Sequence, residues 1–164
     1  MLKEAIFRCD GPVAVRYPRG GEGAFREDTS GPVAVRLREG GDVTLLTYGT
    51  LIEQTLAAAE LLEQRGIAAE VVKLNQISPL NVELIGDSFE KTNCLLAVED
   101  SFGAGCVGQR VASILAEAGK APDKLVLKNL CKTYAPEGTV VQLQKRIGLD
   151  AQSIAEAAAE AIGT

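Results

Sequence analysis

The chain has 164 residues, 46% apolar and 24% charged, with a net charge of −5 and no histidine. That length suits a single cored domain. The acidic balance argues against nucleic-acid or anionic-membrane partners, which need a basic face, and no apolar run approaches the roughly 18 residues of a membrane span. Without histidine, imidazole acid–base chemistry and Ser-His-Asp triads are excluded, and a zinc site would rest on thiolates and carboxylates alone.

The first residues, MLKEAIFRCD, contain acids and no long apolar core, so they are not a signal peptide. They read as an internal helix end carrying a start codon. Gly11–Arg16 (GPVAVR) then returns letter for letter at Gly31–Arg36. Nothing beyond the hexapeptide recurs, so this is not a repeat architecture. After the first copy comes RGGEGAFREDTSG, glycine-rich, polar and linker-like. One strand with a short preamble cannot bury itself. Residues 1–30 therefore read as the last strand of a preceding domain plus its linker, and 31–164 as the domain proper.

From there the pattern is regular. Val33–Arg38 and Val43–Tyr48 are β-rich runs flanking Glu39-Gly40-Gly41-Asp42, which predicts a hairpin with Val33–Arg38 as an antiparallel edge strand. Thr50 is placed to cap a helix whose buried face carries Leu51, Ile52, Thr55, Leu56, Ala59 and Leu62, with Gly66 as its C-cap. A strand follows over residues 69–74. Pro79 blocks helix before it, and Asn81 is the predicted cap of the next helix. CLLAVED predicts a strand over 94–99, and SFGAGCVGQRVASILAEAG a glycine-rich turn feeding a helix that ends at Gly119. A last strand lies over 125–130. Helices over Thr139–Ile147 and from Asp150, the predicted N-cap of the last one, to about Ile162 finish the chain.

Strand–helix alternation of this kind predicts a three-layer α/β/α fold: a five-stranded, mostly parallel sheet with one antiparallel edge strand. The four cysteines, Cys9, Cys94, Cys106 and Cys131, form no CxxC pair. They read as buried free thiols in a reducing cytoplasm.

Taken in order, GPVAVRYPRG, DVTLLTYGT, VVKLNQISPLNVELI, LLAVEDSFGAG and YAPEGTVVQLQKRIGLD resemble the carboxy-terminal segment of the 1-deoxy-D-xylulose-5-phosphate synthases. These belong to the thiamine-diphosphate-dependent transketolase family. The likeness runs from about residue 8 to the end, and Arg16-Tyr17-Pro18-Arg19-Gly20 is its most specific piece. The chain departs from the family pattern at Gly21, Lys73, Asn75 and Ser78. The resemblance implies a cytoplasmic homodimer that condenses pyruvate with glyceraldehyde 3-phosphate for isoprenoid and thiamine biosynthesis. It uses thiamine diphosphate and magnesium, and the cofactor carries the carbanion chemistry. Residues 31–164 would pack against the amino-terminal and pyrimidine-binding domains and help to assemble the dimer. The chain has no Gly-Asp-Gly motif and no histidine, so no cofactor or metal is expected on it alone, and alone it should be inert.

Arg16 and Arg19 are the candidate site residues. In the resemblance an arginine of this motif binds the aldehyde's phosphate, a task suited to a fixed, always-charged fork, with Arg16 the first choice. The alternative is that both pair with carboxylates across a domain interface. Gly103, Gly105 and Gly108 fit GxGxxG between a strand and a helix. No acid ends a following strand about 20 residues on, which favours glycine for close helix–sheet packing. Glu99 and Asp100 could form a carboxylate pair, but a helix-capping and interface role is the simpler reading. Lys145 and Arg146 read as a solvated helix face. Two rival functions stay open. One is the carboxy-terminal domain of another transketolase or of a 2-oxo-acid dehydrogenase β-subunit. The other is an autonomous module binding a small anion at the Gly103–Gly108 helix N-terminus.

Overall fold

The computed structural model describes residues 2–15, 23–25, 31–120, 123–130, 134 and 137–163. After a short helix α1 (Leu2–Phe7), the order is β1 (Ala34–Arg38), β2 (Val43–Thr47), a 3-10 turn (Gly49–Leu51) and α2 (Ile52–Gln64). There follow β3 (Ala69–Leu74), α3 (Val82–Thr92), β4 (Cys94–Val98), α4 (Val107–Glu117), β5 (Lys124–Lys128), α5 (Val140–Ile147) and α6 (Ala151–Ile162). The strands form one sheet in the order β1-β3-β2-β4-β5, parallel throughout except for β1, which runs antiparallel on the edge of β3. The predicted fold class and all five predicted strands are therefore present.

The predicted hairpin is not. β1 and β2 are neighbours in sequence but β3 lies between them. β2 is buried at every position and uses both its edges for parallel partners, β3 and β4. β1, with Arg36 and Arg38, suits a half-solvated edge, and charge there also blocks further strand addition. The Gly-Gly-Asp stretch is instead a crossing over the start of β3. The amides of Gly41 and Asp42 donate to the Ala68 carbonyl, each at 3.0 Å. Asp42 Oδ2 accepts the Ala68 amide at 2.6 Å. A side chain on Gly40 would run into the backbone of Ala69 and Glu70, so glycine is required there by close approach.

The sheet has a helical layer on each face. Val43, Leu45, Val71, Leu96 and Val98 meet α2 and α6, whose buried Ala58, Ala59, Ala155 and Ala158 let the two helices lie close. Leu46, Val72, Leu74 and Leu95 meet α3 and α4 through Ile85, Phe89, Val111 and Leu115. The period-two alternation of each strand thus feeds two cores. Asn81 caps α3 by accepting the Leu84 amide at 3.0 Å, as predicted. Gly66 follows α2 with φ of 79°. Thr139 closes a capping box with Gln142 on α5.

Two predicted caps need correction. Thr50 sits inside the 3-10 turn and caps nothing, because α2 begins only at Ile52. Asp150 occupies the N-cap position of α6, but its carboxylate takes the Ser153 hydroxyl at 2.6 Å, and the Ala151 amide donates instead to Gln54 of α2. The two copies of the hexapeptide also differ. Ala34–Arg38 is a sheet strand, whereas Pro12–Val15 joins no strand and Val13 is 47% exposed.

Candidate functional site at the carboxyl edge of the sheet

β2 is followed by a crossover to β3 on one side, and β4 by a crossover to β5 on the other. The carboxyl ends of β2 and β4 therefore flank a topological switch point, where open α/β sheets usually hold ligands. Here the crevice is closed by the domain's own side chains. Glu99, one residue beyond β4, is 1% exposed and accepts four hydrogen bonds. Its Oε2 takes the Tyr48 hydroxyl at 3.1 Å, the Ser101 hydroxyl at 3.1 Å and the Val107 amide at 2.9 Å. Its Oε1 takes the Gly108 amide at 2.9 Å.

The carboxylate thus occupies the free amides and positive dipole end of α4, where an external anion would otherwise sit. That removes the autonomous anion-binding reading of Gly103–Gly108. It bears out the capping role for Glu99, while the adjacent Asp100 is exposed. Gly108 serves close packing. A Cβ there would lie 2.5 Å from Leu127 Cδ2 and 3.0 Å from both Ala97 Cβ and Glu99 Oε1. Burial, then the Glu99 charge, pushes the Tyr48 phenol up to about 12.

A second buried carboxylate sits at the opposite, amino end of the sheet. Glu70, on β3, has no exposed surface. Its Oε2 accepts the Thr44 hydroxyl at 2.9 Å. Its Oε1 lies 2.5 Å from both Lys91 Nζ of α3 and Arg36 Nε of β1. The Arg36 N–H is not aimed along that line, so the contact is an ion pair rather than a hydrogen bond. Desolvation works against the Lys91 ammonium, but its bonds to Glu70 and Glu39 outweigh it and hold Lys91 above the ordinary lysine range. Glu39 is lowered, first by its bond to Lys91. Every strong partner of Glu70 is internal, which marks a structural clamp.

Cys94 and Cys106 are buried free thiols pushed up by desolvation, opposite to what a nucleophilic thiolate needs. Cys9 is also free but exposed, which corrects the expectation of burial: it follows α1, outside the packed layers. Lys145 and Arg146 are solvent-exposed, as expected. Cys131 and both candidate arginines, Arg16 and Arg19, lie outside the described residues.

A diphosphate–metal cofactor does not fit the described residues. No group of three or more metal-ligating side chains exists among them, and the one strong helix N-terminus at the switch point is filled by Glu99, whose charge would repel a diphosphate. Among the described residues no helix is long and apolar enough to cross a membrane.

Sequence reading missed Tyr48 and Ser101 as partners of Glu99, because hydroxyls in loops carry no periodic signal. It also missed Glu70. A lone acid inside the apolar run AAEVVKL was the available sign, since such a charge must be paired if the strand is central.

The fold, a mostly parallel five-stranded sheet with one antiparallel edge strand, is that of a transketolase-type carboxy-terminal domain. Residues 33–154 match the family described as transketolase, C-terminal domain, and the chain belongs to that family. Its curated relatives are more particular. It is 34% identical over 161 residues to the 1-deoxy-D-xylulose-5-phosphate synthase of Chlorobium phaeovibrioides, covering 95% of this chain and 25% of the relative. It is 33% identical over 163 residues to 1-deoxy-D-xylulose-5-phosphate synthase 1 of Geobacter sulfurreducens, covering 96% and 25%. The chain spans about a quarter of the length of these relatives and corresponds to their carboxy-terminal segment. Among solved structures, a split gene transketolase described as an inactive beta4 tetramer is similar with a TM-score of 0.73 and 29% identity, over 88% of this chain and 46% of that one. A transketolase of Pichia stipitis shares the fold, with a TM-score of 0.56 at 18% identity over 79% of this chain and 18% of that one.

Proposed function

We propose that this chain is the carboxy-terminal part of a thiamine-diphosphate-dependent 1-deoxy-D-xylulose-5-phosphate synthase, a cytoplasmic homodimer that condenses pyruvate with glyceraldehyde 3-phosphate. One observation carries the reading. The likeness to the synthases covers 95–96% of the chain, so it extends beyond residues 33–154 into the first thirty. On this reading residues 1–30 close the pyrimidine-binding domain and 31–164 form the third domain. Thiamine diphosphate and magnesium belong to the other domains, and the cofactor supplies the carbanion chemistry there. This domain supplies packing and dimer assembly. Arg16 and Arg19 lie beside the active site of the whole enzyme and bind the acceptor's phosphate, Arg16 foremost.

The test is a chimera in which this chain replaces the last quarter of the Chlorobium phaeovibrioides synthase. The chimera condenses the two substrates, while the free chain neither turns over pyruvate nor binds thiamine diphosphate in a calorimeter. Turnover by the free chain sinks the reading, as does an inactive chimera when the same exchange with the Geobacter sulfurreducens segment is active. Within an active chimera, Arg16→Ala raises KM for glyceraldehyde 3-phosphate at least tenfold, and an unchanged KM removes Arg16 from the site.

Similarity to a split gene transketolase favours a second reading in one respect, that this domain is supplied by a subunit encoded apart from the cofactor-binding part. Activity on simply mixing this chain with the separately made remainder of the synthase supports it, and activity only in the fused chimera excludes it.

A further inference from the structure

The exposed large apolar side chains of the domain are distributed unevenly between its two ends. Among the described residues from 31 onward they are Ile77, Val82, Phe102, Tyr134, Val140 and Val141. Ile77 and Val82 lie between β3 and the first turn of α3, Phe102 follows β4, Tyr134 follows β5, and Val140 and Val141 open α5. All six are therefore on segments that leave the carboxyl ends of the parallel strands. The amino end is built from Glu39–Asp42, Arg65–Ala68 and Asn93, and exposes none among the described residues. Phe102 and Tyr134 also form a tilted aromatic pair, with ring centroids 5.6 Å apart and planes at 57°. α5 has no fully buried residue: Ile147 at its end packs partly against the core, but Val140 and Val141 in its first turn are left exposed. Apolar surface gathered on one end of a domain marks a contact surface.

The chain that leads into the domain arrives at the same end. Because β1 is antiparallel, its first residue lies beside the last residue of β3, in the register Ala34↔Leu74. Asn75 and Gln76 donate their amides to the Val33 carbonyl at 2.9 and 3.0 Å. Farther upstream, the Phe25 amide donates to Glu53 Oε1 at 2.9 Å at the start of α2, and the Phe25 ring lies 5.2 Å from Lys73 Nζ near the end of β3. Both contacts are on the carboxyl edge. Val15 is only eight residues before Gly23, which limits that span to about 29 Å.

We infer that the carboxyl edge of the sheet, with Phe102, Tyr134 and the N-terminal turn of α5 at its centre, is the face that docks on the preceding domain of the same polypeptide. The inference rests on the reading proposed above and adds the location of the contact. A tether of that reach, pinned at two places on the edge, holds the preceding domain close to it. The apolar side chains there are what such a contact would cover, and Glu99 and Tyr48 close the crevice behind it so that no ligand site competes.

Hydrogen exchange in the full-length chimera, set against the free 164-residue chain, tests this. The expected result is that amides of residues 76–82, 100–106 and 137–143 exchange at least tenfold more slowly in the chimera, while those of 39–42 and 65–68 do not change. The double variant Phe102→Ser, Val141→Ser abolishes that protection in the chimera and leaves the midpoint of the free chain within about 2 °C, so that unfolding is not its cause. Protection at 39–42 and 65–68 instead overturns the inference but not the proposed function. Protection at neither end means that the domain does not dock, and both fall. Slowing of the carboxyl-edge segments in the free chain at high concentration, absent on dilution, assigns the face to a second copy and also overturns it.

Discussion

At the residue scale the most consequential group is Glu99, whose two oxygens satisfy two backbone amides and two hydroxyls in a buried setting. All four partners are donors, so the position requires an acceptor-only group. Glu99→Ala leaves the Val107 and Gly108 amides without their cap and costs about 3 kcal/mol in urea unfolding. Glu99→Gln does little better, with a loss of about 2 kcal/mol or more, because its amide nitrogen must face one of those donors. Tyr48 gives a pH signature of the same site. Its folded value is raised to about 12 from 10.0, so between those values the unfolded chain ionises while the folded chain keeps its proton. The stabilisation is complete below about pH 10 and is lost as pH rises through 12, amounting to no more than about 2 kcal/mol for a partly exposed group. Denaturant midpoints at pH 9 and pH 11.5 should differ in the wild type, and differ less in Tyr48→Phe.

Elements are tied together by the second carboxylate. Glu70 on β3, itself fully buried, holds the partly exposed Arg36 of the edge strand and Lys91 of α3 in one cluster, whereas Arg38, two residues along β1, pairs with a Glu63 that is largely in water. The two arginines therefore differ in weight although their letters match. Arg36→Ala strips one cation from a fully buried carboxylate and should cost about 2–3 kcal/mol. Arg38→Ala should cost less than about 1 kcal/mol. Equal losses would mean that the edge strand is held by its backbone ladder alone. Much of this level was legible in advance: strand positions followed from apolar runs bounded by glycine, and the Asn81 cap from local chemistry. The hairpin was not, because a Gly-Gly-Asp turn looks the same whether the chain doubles back onto its neighbour or steps over a third strand.

For the whole molecule, the repeated hexapeptide offers an internal control. Val35 and Arg36 of the second copy sit in the ladder with β3, while Val13 and Val15 join no strand. Amides of residues 13–15 should exchange orders of magnitude faster than those of 35–38 in the dilute free chain. Strong protection of both would bring the first copy into this domain's own fold and move the proposed boundary near residue 30. In the full-length chimera the first copy should become protected as well, since there it would have the preceding domain's sheet to pair with.

Local chemistry in the sequence was enough to determine the class of fold, the helix caps set by side chains three residues away, and membership suggested by an ordered series of short motifs. These depend on neighbours along the chain, where period and spacing are direct evidence. Tertiary structure alone decided which strand lies between β1 and β2, that the glycine-rich turn after β4 receives a carboxylate of the same chain, and that the exposed apolar residues gather at one end. Each of these is a meeting of segments distant in sequence. It is governed by which edges, donors and faces remain unsatisfied once every local element has formed, and no single segment carries that information.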